Sequence, residues 1–467
     1  MSLWWPAHLC SSYARRRLTD YWWAIVLFVV TTVLLAYFFV RGYDVVFSIA
    51  ALTTTDPFFL SVPSLNTTSA LFQHAGWYMT QGAVPYVNIW DVKPPLIYYL
   101  VVCLAFVSGG NMAVLHLLSG LASAAAIVVT VVLVAAIVHR ITDKEVAALA
   151  AGGVMLALPY LYRYPIHGIR PKYFTLAFGA FALLLALRER FALAGASAAI
   201  AAGFWQFGAI FFVLVAGIAF RSDRRTLSHE RTGARALAWA VGAGGGVAVL
   251  AIIPFLLWGA LVPLVIESVV VSLVTPTPVT VLGRIYNTLD ALGYATVLLP
   301  VAAVGWVWST SVLNGCSDAQ WWMLGGGVLF SAQVLFFDGE GWPDIMTLLL
   351  FVALGVGVVA ASQPRARRWI LVGFLALLIV TGPVWADSAT APLRTEFDGV
   401  QQRYPTQTSE GAEAAIEQSR PSMQEIYWEK IEPETCHYYF GGIEVQWTRH
   451  TSASLTDQQC GQWPATG

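Results

Sequence analysis

Gly82-Ala83-Val84-Pro85-Tyr86-Val87-Asn88-Ile89-Trp90-Asp91-Val92-Lys93-Pro94-Pro95-Leu96 is a polar, proline-broken stretch in a chain that is otherwise close to hydrocarbon. It holds Asp91 and Lys93 and belongs to the first loop after the first long apolar run, Tyr21 to Val40. A membrane chain that spends its few charges on one loop makes those charges the first candidates for chemistry.

The surroundings of the loop set the class. Of 467 residues, 57% are hydrophobic and 11% charged, where a soluble domain carries roughly 25% charged residues. The mean hydropathy is +0.65. These values describe an all-α polytopic membrane protein. The net charge of −1 conceals an asymmetry: from Trp385 onward there are 12 acidic and 5 basic residues, and before it 15 acidic and 21 basic. A basic membrane part, residues 1–385, thus precedes an acidic tail, residues 386–467. Nothing resembles a basic nucleic-acid surface, and no Walker or dinucleotide motif implies a nucleotide cofactor.

Arg15, Arg16 and Arg17 precede the 20-residue run from Tyr21 to Val40, which has no small-residue cleavage site after it. That length crosses a bilayer and reads as a signal anchor. Further apolar runs fall at 112–138, 146–161, 173–187, 191–205, 206–220, 236–258, 291–309, 320–337, 345–361 and 369–385. The stretch 191–220 is one long helix or two short ones broken near Trp205-Gln206. With two, the inside loops collect 15 Lys and Arg, and the outer loops before the tail collect 6. With one, the Arg221–Arg235 cluster turns outward, so the positive-inside rule favours two. Leu96 to Val107, 12 residues long, is too short to span and would invert the basic loops after it. It reads as an interfacial or re-entrant helix. The expectation is about eleven transmembrane helices in the cell membrane, with a cytoplasmic N-terminus. The first outer loop, 41–111, and the tail then lie outside.

That topology gathers charges on one face. The first loop contributes Asp44, Asp56, His74, Asp91 and Lys93, and the second contributes Arg163, His167, Arg170 and Lys172. Leu261 to Asp290 adds Glu267, Arg284, Tyr286 and Asp290, and a later loop adds Asp338, Glu340 and Asp344. Carboxylates can take a proton from a hydroxyl, and cations can hold a phosphate leaving group. The acidic 338–344 cluster reads either as a solvated loop or as oxygen ligands for Mg²⁺ or Mn²⁺ or for sugar hydroxyls. No metal is fixed by the sequence.

The loop, with Phe72-Gln73-His74-Ala75-Gly76-Trp77-Tyr78 before it, resembles the first outer loop of the integral-membrane C-type (GT-C) glycosyltransferases that use polyprenyl-phosphate sugars. Their pattern there is G-x-x-P-Y-x-x-x-x-D/E-x-K-P-P-L. Arg170-Pro171-Lys172-Tyr173 and Gly341-Trp342-Pro343-Asp344 look like haloarchaeal members that transfer mannose from dolichyl phosphate onto the S-layer N-glycan. The resemblance implies a GT-C-like bundle and inverting transfer of a sugar, mannose by likeness, from a dolichyl-phosphate donor to a glycan or glycoprotein acceptor at the outer face. One departure stands out. The family places a catalytic acid upstream of its Lys-Pro-Pro, where this chain reads Ser64-Leu65-Asn66-Thr67-Thr68-Ser69-Ala70.

The base is therefore Asp91, Asp56 or Asp44. Donor phosphate falls to Lys93, Arg163, Arg170 and Lys172, and sugar or acceptor contacts to His74, His167, Asp338, Glu340 and Asp344. Each has a plainer reading: a local ion pair for Asp91 and Lys93, an Asp-Pro turn for Asp56, a helix end for Asp44, lipid headgroups for the second-loop cations. Asn66-Thr67-Thr68 is a glycosylation sequon on the outer side. Cys436 and Cys460 can pair if the tail is exported, and the tail is expected to form a small α/β domain. The rival readings are a lipid-linked-sugar flippase or other transporter, a transferase for another polyprenyl-phosphate sugar, and a non-catalytic scaffold. The first of these predicts charges and broken helices at the bilayer midplane.

Overall fold

In hydrocarbon every backbone N–H and C=O must find its partner inside the segment, so apolar runs become helices. The computed structural model describes residues 21–42, 65–222, 232–271, 280–311, 321–338, 341–388 and 423–432. Among the described residues no strand occurs beyond a single bridge between Pro85 and Ile89.

Helices α1 (Trp22–Gly42), α2 (Thr67–Thr80) and α3 (Leu96–Val107) come first. Next are α4 (Met112–Thr142), α5 (Glu145–Leu156) and α6 (Pro159–Arg163), with a 3₁₀ turn at Tyr164–His167. Then follow α7 (Pro171–Leu187), α8 (Phe191–Phe204), α9 (Ala209–Arg221) and α10 (Thr232–Leu257). The short α11 (Leu261–Val265) runs into a π-helical turn at Ile266–Val271. The series continues with α12 (Val281–Leu292), α13 (Leu298–Ser311), α14 (Trp321–Phe336), α15 (Met346–Ser362), α16 (Arg365–Ser388) and α17 (Met423–Glu429).

Five stretches are long and apolar enough to cross a bilayer: Trp22–Arg41, Met112–Thr142, Gly233–Leu257, Val281–Thr310 and Arg365–Pro383. A sixth arises if α5 and Pro159–His167, bent by 74° at their junction, count as one span. The chain is a multi-pass membrane protein. The expected eleven is not reached on this measure, because α7, α8, α9, α14 and α15 are among the apolar helices of 10–17 residues; α3, expected not to span, is another of them. The 191–220 run is two helices: Trp205 takes an extended backbone and breaks the helix between α8 and α9.

Packing follows from which faces are apolar all round. Helix α15 is buried on nearly every side and sits against α5 and α13, as expected for a helix with no polar face. Small residues let helices approach closely. Gly195 of α8 lies on the Ala240 backbone of α10, and Gly305 of α13 on the Gly355 backbone of α15, so that a Cβ at either glycine would overlap main chain. Outward faces remain greasy. Phe28 and Val33 on α1, Leu250 and Leu257 on α10, and Ile370 and Val380 on α16 are exposed, as a lipid-facing belt requires.

Of the acidic tail, residues 386–388 end α16 and residues 423–432 form a helix and its exit packed on α2; no others are described. The expected α/β domain and the Cys436–Cys460 pair lie outside the described residues.

Candidate active site

The Gly82–Leu96 loop is built around a tight reversal. Tyr86 adopts φ +65°, a left-handed conformation that a non-glycine residue holds only when its surroundings over-determine it. Here its N–H donates to Ile89 O at 2.7 Å, and its hydroxyl donates to Lys93 O at 2.6 Å. Asn88 Oδ1 accepts from Val84 N at 2.8 Å. Distant elements then pin the Asp-Val-Lys segment. The Tyr98 hydroxyl donates to Asp91 Oδ2 at 2.7 Å. The Asp91 N–H donates to Glu267 Oε2 at 3.1 Å, and Gln206 Nε2, at the α8–α9 break, donates to Val92 O at 2.9 Å. Trp90 and Val92 pack with Val271.

Asp91 is 4% exposed and Glu267 2%. Burial pushes the Asp91 carboxyl above its ordinary range, while the Lys93 charge, the Tyr98 hydroxyl and the Val92 and Lys93 amides pull it back. Lys93 is half-buried and its charge acts on both Asp91 and Asp338, so the first loop and the 338–344 loop share one electrostatic neighbourhood.

Lys172, at the start of α7, fills the centre of that neighbourhood. Its ammonium bonds Asp338 Oδ2 at 3.1 Å and Asp344 Oδ1, and lies 4.5 Å from the Trp205 ring centroid. Asp344 Oδ2 also accepts from Gly341 N at 2.8 Å. Burial works against ionised Asp338, yet Lys172 and Lys93 outweigh it and hold the group low. Burial raises Asp344, with the neighbouring Asp338 adding to the effect. Residues from two of the predicted groups meet here. Lys172 is committed to internal carboxylates, and Asp338 and Asp344 are committed to Lys172. Among the described residues no group of three or more His, Cys, Asp or Glu is placed to hold a metal ion.

The loop from Arg163 to Lys172 lies beside this cluster. Arg170 sits 5.0 Å from the centroid of Trp342, which also meets Tyr164 at 4.5 Å, Tyr160 at 5.5 Å and Tyr173 at 6.5 Å. Arg163, His167 and Arg170 are half-buried. The loop is seated on α2, where Ser69 Oγ donates to Ile169 O at 3.0 Å and Asn66 N to His167 O at 3.5 Å. Gly168 needs its absent side chain: with φ +108°, it leaves no room for a Cβ beside Gln73.

Helix α2 itself starts at Asn66, whose side chain accepts from Thr68 N at 3.0 Å. The sequon asparagine is therefore a half-buried N-cap. His74 is buried on α2 and meets the backbone of Ile431. Burial pushes it down to about 4, with that backbone bond acting the other way.

An apolar cavity of about 510 Å³ opens beside Pro95 and Leu96. Pro95, Leu96, Gly203, Phe212, Gly244 and Ile252 are among its lining residues, between α8, α9 and α10.

The structure thus brings Asp91, Lys93, Lys172, Asp338 and Asp344 together, with Arg170 and Trp342 adjacent. His74 and Asn66 are both on α2, His74 against the Ile431 backbone and Asn66 as the helix N-cap. Asp44, Asp56 and Glu340 lie outside the described residues. Glu267, Tyr98 and Gln206 were given no role from the sequence. Glu267 carried a signal, since it is the one acid in the apolar stretch from Leu261 to Val271. Gln206 carried one as the polar break in the apolar run 191–220, and Tyr98 gave none.

Residues 82–241 match the DolP-mannose mannosyltransferase family, a match that opens at the first glycine of the loop. A dolichol phosphate-mannose mannosyltransferase from Haloferax volcanii is 27% identical over 433 residues, covering 86% of this chain and 91% of that protein. Among solved structures, ArnT from Cupriavidus metallidurans bound to undecaprenyl phosphate aligns with TM-score 0.50 and 13% identity over 78% of this chain. The chain spans 65% of that protein's length. The Archaeoglobus fulgidus oligosaccharyltransferase aligns with TM-score 0.46 and 13% identity, covering 91% of this chain and 61% of its own. Family match, relative and fold agree with what the loop implied: the chain resembles the GT-C polyprenyl-phosphate-sugar glycosyltransferases, and among them the haloarchaeal dolichol phosphate-mannose mannosyltransferase.

Proposed function

We propose that this chain is a membrane mannosyltransferase that moves mannose from dolichyl phosphate to a glycan acceptor at the outer membrane face, with inversion. The acceptor suggested by the likeness is a protein-bound S-layer N-glycan. Asp91 takes the proton of the acceptor hydroxyl as that oxygen bonds to the anomeric carbon. The carbon–oxygen bond to phosphate breaks with its electron pair, and dolichyl phosphate leaves. The observation that carries this reading is the buried Asp91, gripped by Tyr98, with Lys93 between it and the Asp338 cluster. A carboxylate raised by burial is a better base than a solvated one.

Lys93, Arg163 and Arg170 take the phosphate, while Lys172 acts from behind as the fixed counter-ion of Asp338 and Asp344. The polyprenyl chain lies in the apolar cavity that begins at Pro95 and Leu96. Lateral entry of a lipid donor suits a cavity walled by α8, α9 and α10, whose outer face is exposed. We also take α7, α8, α9, α14 and α15 as spans, which with the five long stretches and the bent α5 pair gives about eleven, with the N-terminus cytoplasmic. Residues 1–385 then form the transferase and residues 386–467 an outer domain. Asp56 and Asp44 stand as alternative bases.

The test is transfer of labelled mannose from dolichyl phosphomannose to a truncated surface glycan, in membranes carrying wild type, Asp91→Asn or Asp56→Asn. Loss with Asp91→Asn at normal expression supports the assignment. Full activity in that variant moves the base to Asp56 or Asp44, and no transfer by wild type refutes the donor.

A further inference from the structure

We propose that residues 426–432 of the C-terminal tail are an intramolecular clamp that positions the Tyr98–Asp91 pair through α2, with Tyr427 as its positioning residue. This rests on Asp91 as the base.

The tail comes back more than 350 positions along the chain to meet the first outer loop. Tyr427 is fully buried. Its hydroxyl lies 2.5 Å from Met112 O and 3.2 Å from Gln73 Oε1, and His116 Nδ1 lies 3.1 Å from the same Gln73 oxygen. Around this polar centre, Ile426 and Tyr427 pack with Leu71, Trp77, Ala105 and Leu115. His74 meets the Ile431 backbone one turn further on. The tail thus closes over one face of α2 and satisfies polar groups that burial would otherwise leave costly.

The other face of α2 faces the site. Phe72, beside Gln73, sets its ring edge-on to Tyr98 at 6.4 Å. Gly76 lies against the Val101 carbonyl, where a Cβ would come within 2.6 Å, so α2 and α3 move as one layer. Tyr98 of α3 holds Asp91. Consecutive residues, Phe72 and Gln73, therefore connect the tail's anchor to the hydroxyl that grips the base.

The experiment uses the full chain in membranes, with Tyr427→Ala, Tyr427→Phe and Asp91→Asn compared with wild type. It reads kcat, the donor KM and the pH–rate profile. Tyr427→Ala is expected to lower kcat about tenfold, the scale of one mis-set hydrogen bond at the base. Donor KM stays unchanged, and the acid limb of the profile moves upward because Tyr98 no longer supports ionised Asp91. Tyr427→Phe keeps the buried ring and recovers most of kcat. Wild-type kcat and profile in Tyr427→Ala overturn the clamp. So does a smaller amount of folded protein with an unshifted limb in both variants, which is a purely structural role. Activity in Asp91→Asn overturns the base instead, and the kcat of Tyr427→Ala then judges the clamp alone.

Discussion

Tyr98 reaches back seven residues to donate its hydroxyl to Asp91 Oδ2 at 2.7 Å, so the helix that the Lys-Pro-Pro sequence starts also closes the loop before it. Burial raises the Asp91 carboxyl and this bond opposes the rise. Removing the hydroxyl raises it further. Tyr98→Phe should therefore shift the acid limb of the pH–rate profile upward and cut transfer about tenfold near neutrality, since a hydrogen bond to a charged group is worth roughly 1.5–3 kcal/mol. An unshifted limb would mean that Asp91 does not titrate in the rate-limiting step.

Glu267 holds the Asp91 main chain rather than its carboxylate. An amide oxygen accepts that N–H as a carboxylate does. Glu267→Gln should thus keep most of the transfer activity, and Glu267→Ala should lose about tenfold. Equal inactivity of the two would make Glu267 a proton acceptor in its own right, and a steady-state assay of both separates the cases.

How much of this was legible follows from the range of each interaction. The loop declared itself because its prolines and charges are local, and the Trp205-Gln206 break because a short motif interrupts an apolar run. The number of spans was harder. Several apolar helices have only 10–17 residues, short of the ~20 that fill a bilayer core, so length and hydropathy alone do not assign them as spans. That Lys172 pairs with Asp338 and Asp344 is not visible in the sequence, because those carboxylates lie 166 and 172 residues away. Gln206 looked like a polar interruption and proved a loop anchor. The tail's docking gave no sequence signal, since Tyr427 finds Gln73 only through the fold.

The Lys172 triad yields a stability prediction. Removing one partner of a buried ion pair costs about 3–5 kcal/mol, because the charge left behind is uncompensated. Lys172→Met should lower the melting temperature of the detergent-purified protein sharply. Adding Asp338→Asn and Asp344→Asn in the same chain should restore much of the loss. If the triple variant melts no higher than the single one, the ammonium's value lies in packing against Trp205 rather than in charge.

His74 gives the tail dock a pH dependence. Burial holds its folded value near 4, against 6.5 for the free side chain. A group lowered on folding contributes stability that is fully present above its unfolded value and is lost as pH falls toward the folded one. The window is therefore pH 6.5 down to about 4, and the full gap corresponds to on the order of 3 kcal/mol. Purified protein should show a constant melting temperature above this window and a falling one within it. Limited proteolysis should meanwhile open the tail in acid. His74→Gln, which cannot take the proton, should flatten the acid slope. A wild-type slope in that variant would place the titrating group elsewhere, with His116 on the same dock the next to replace.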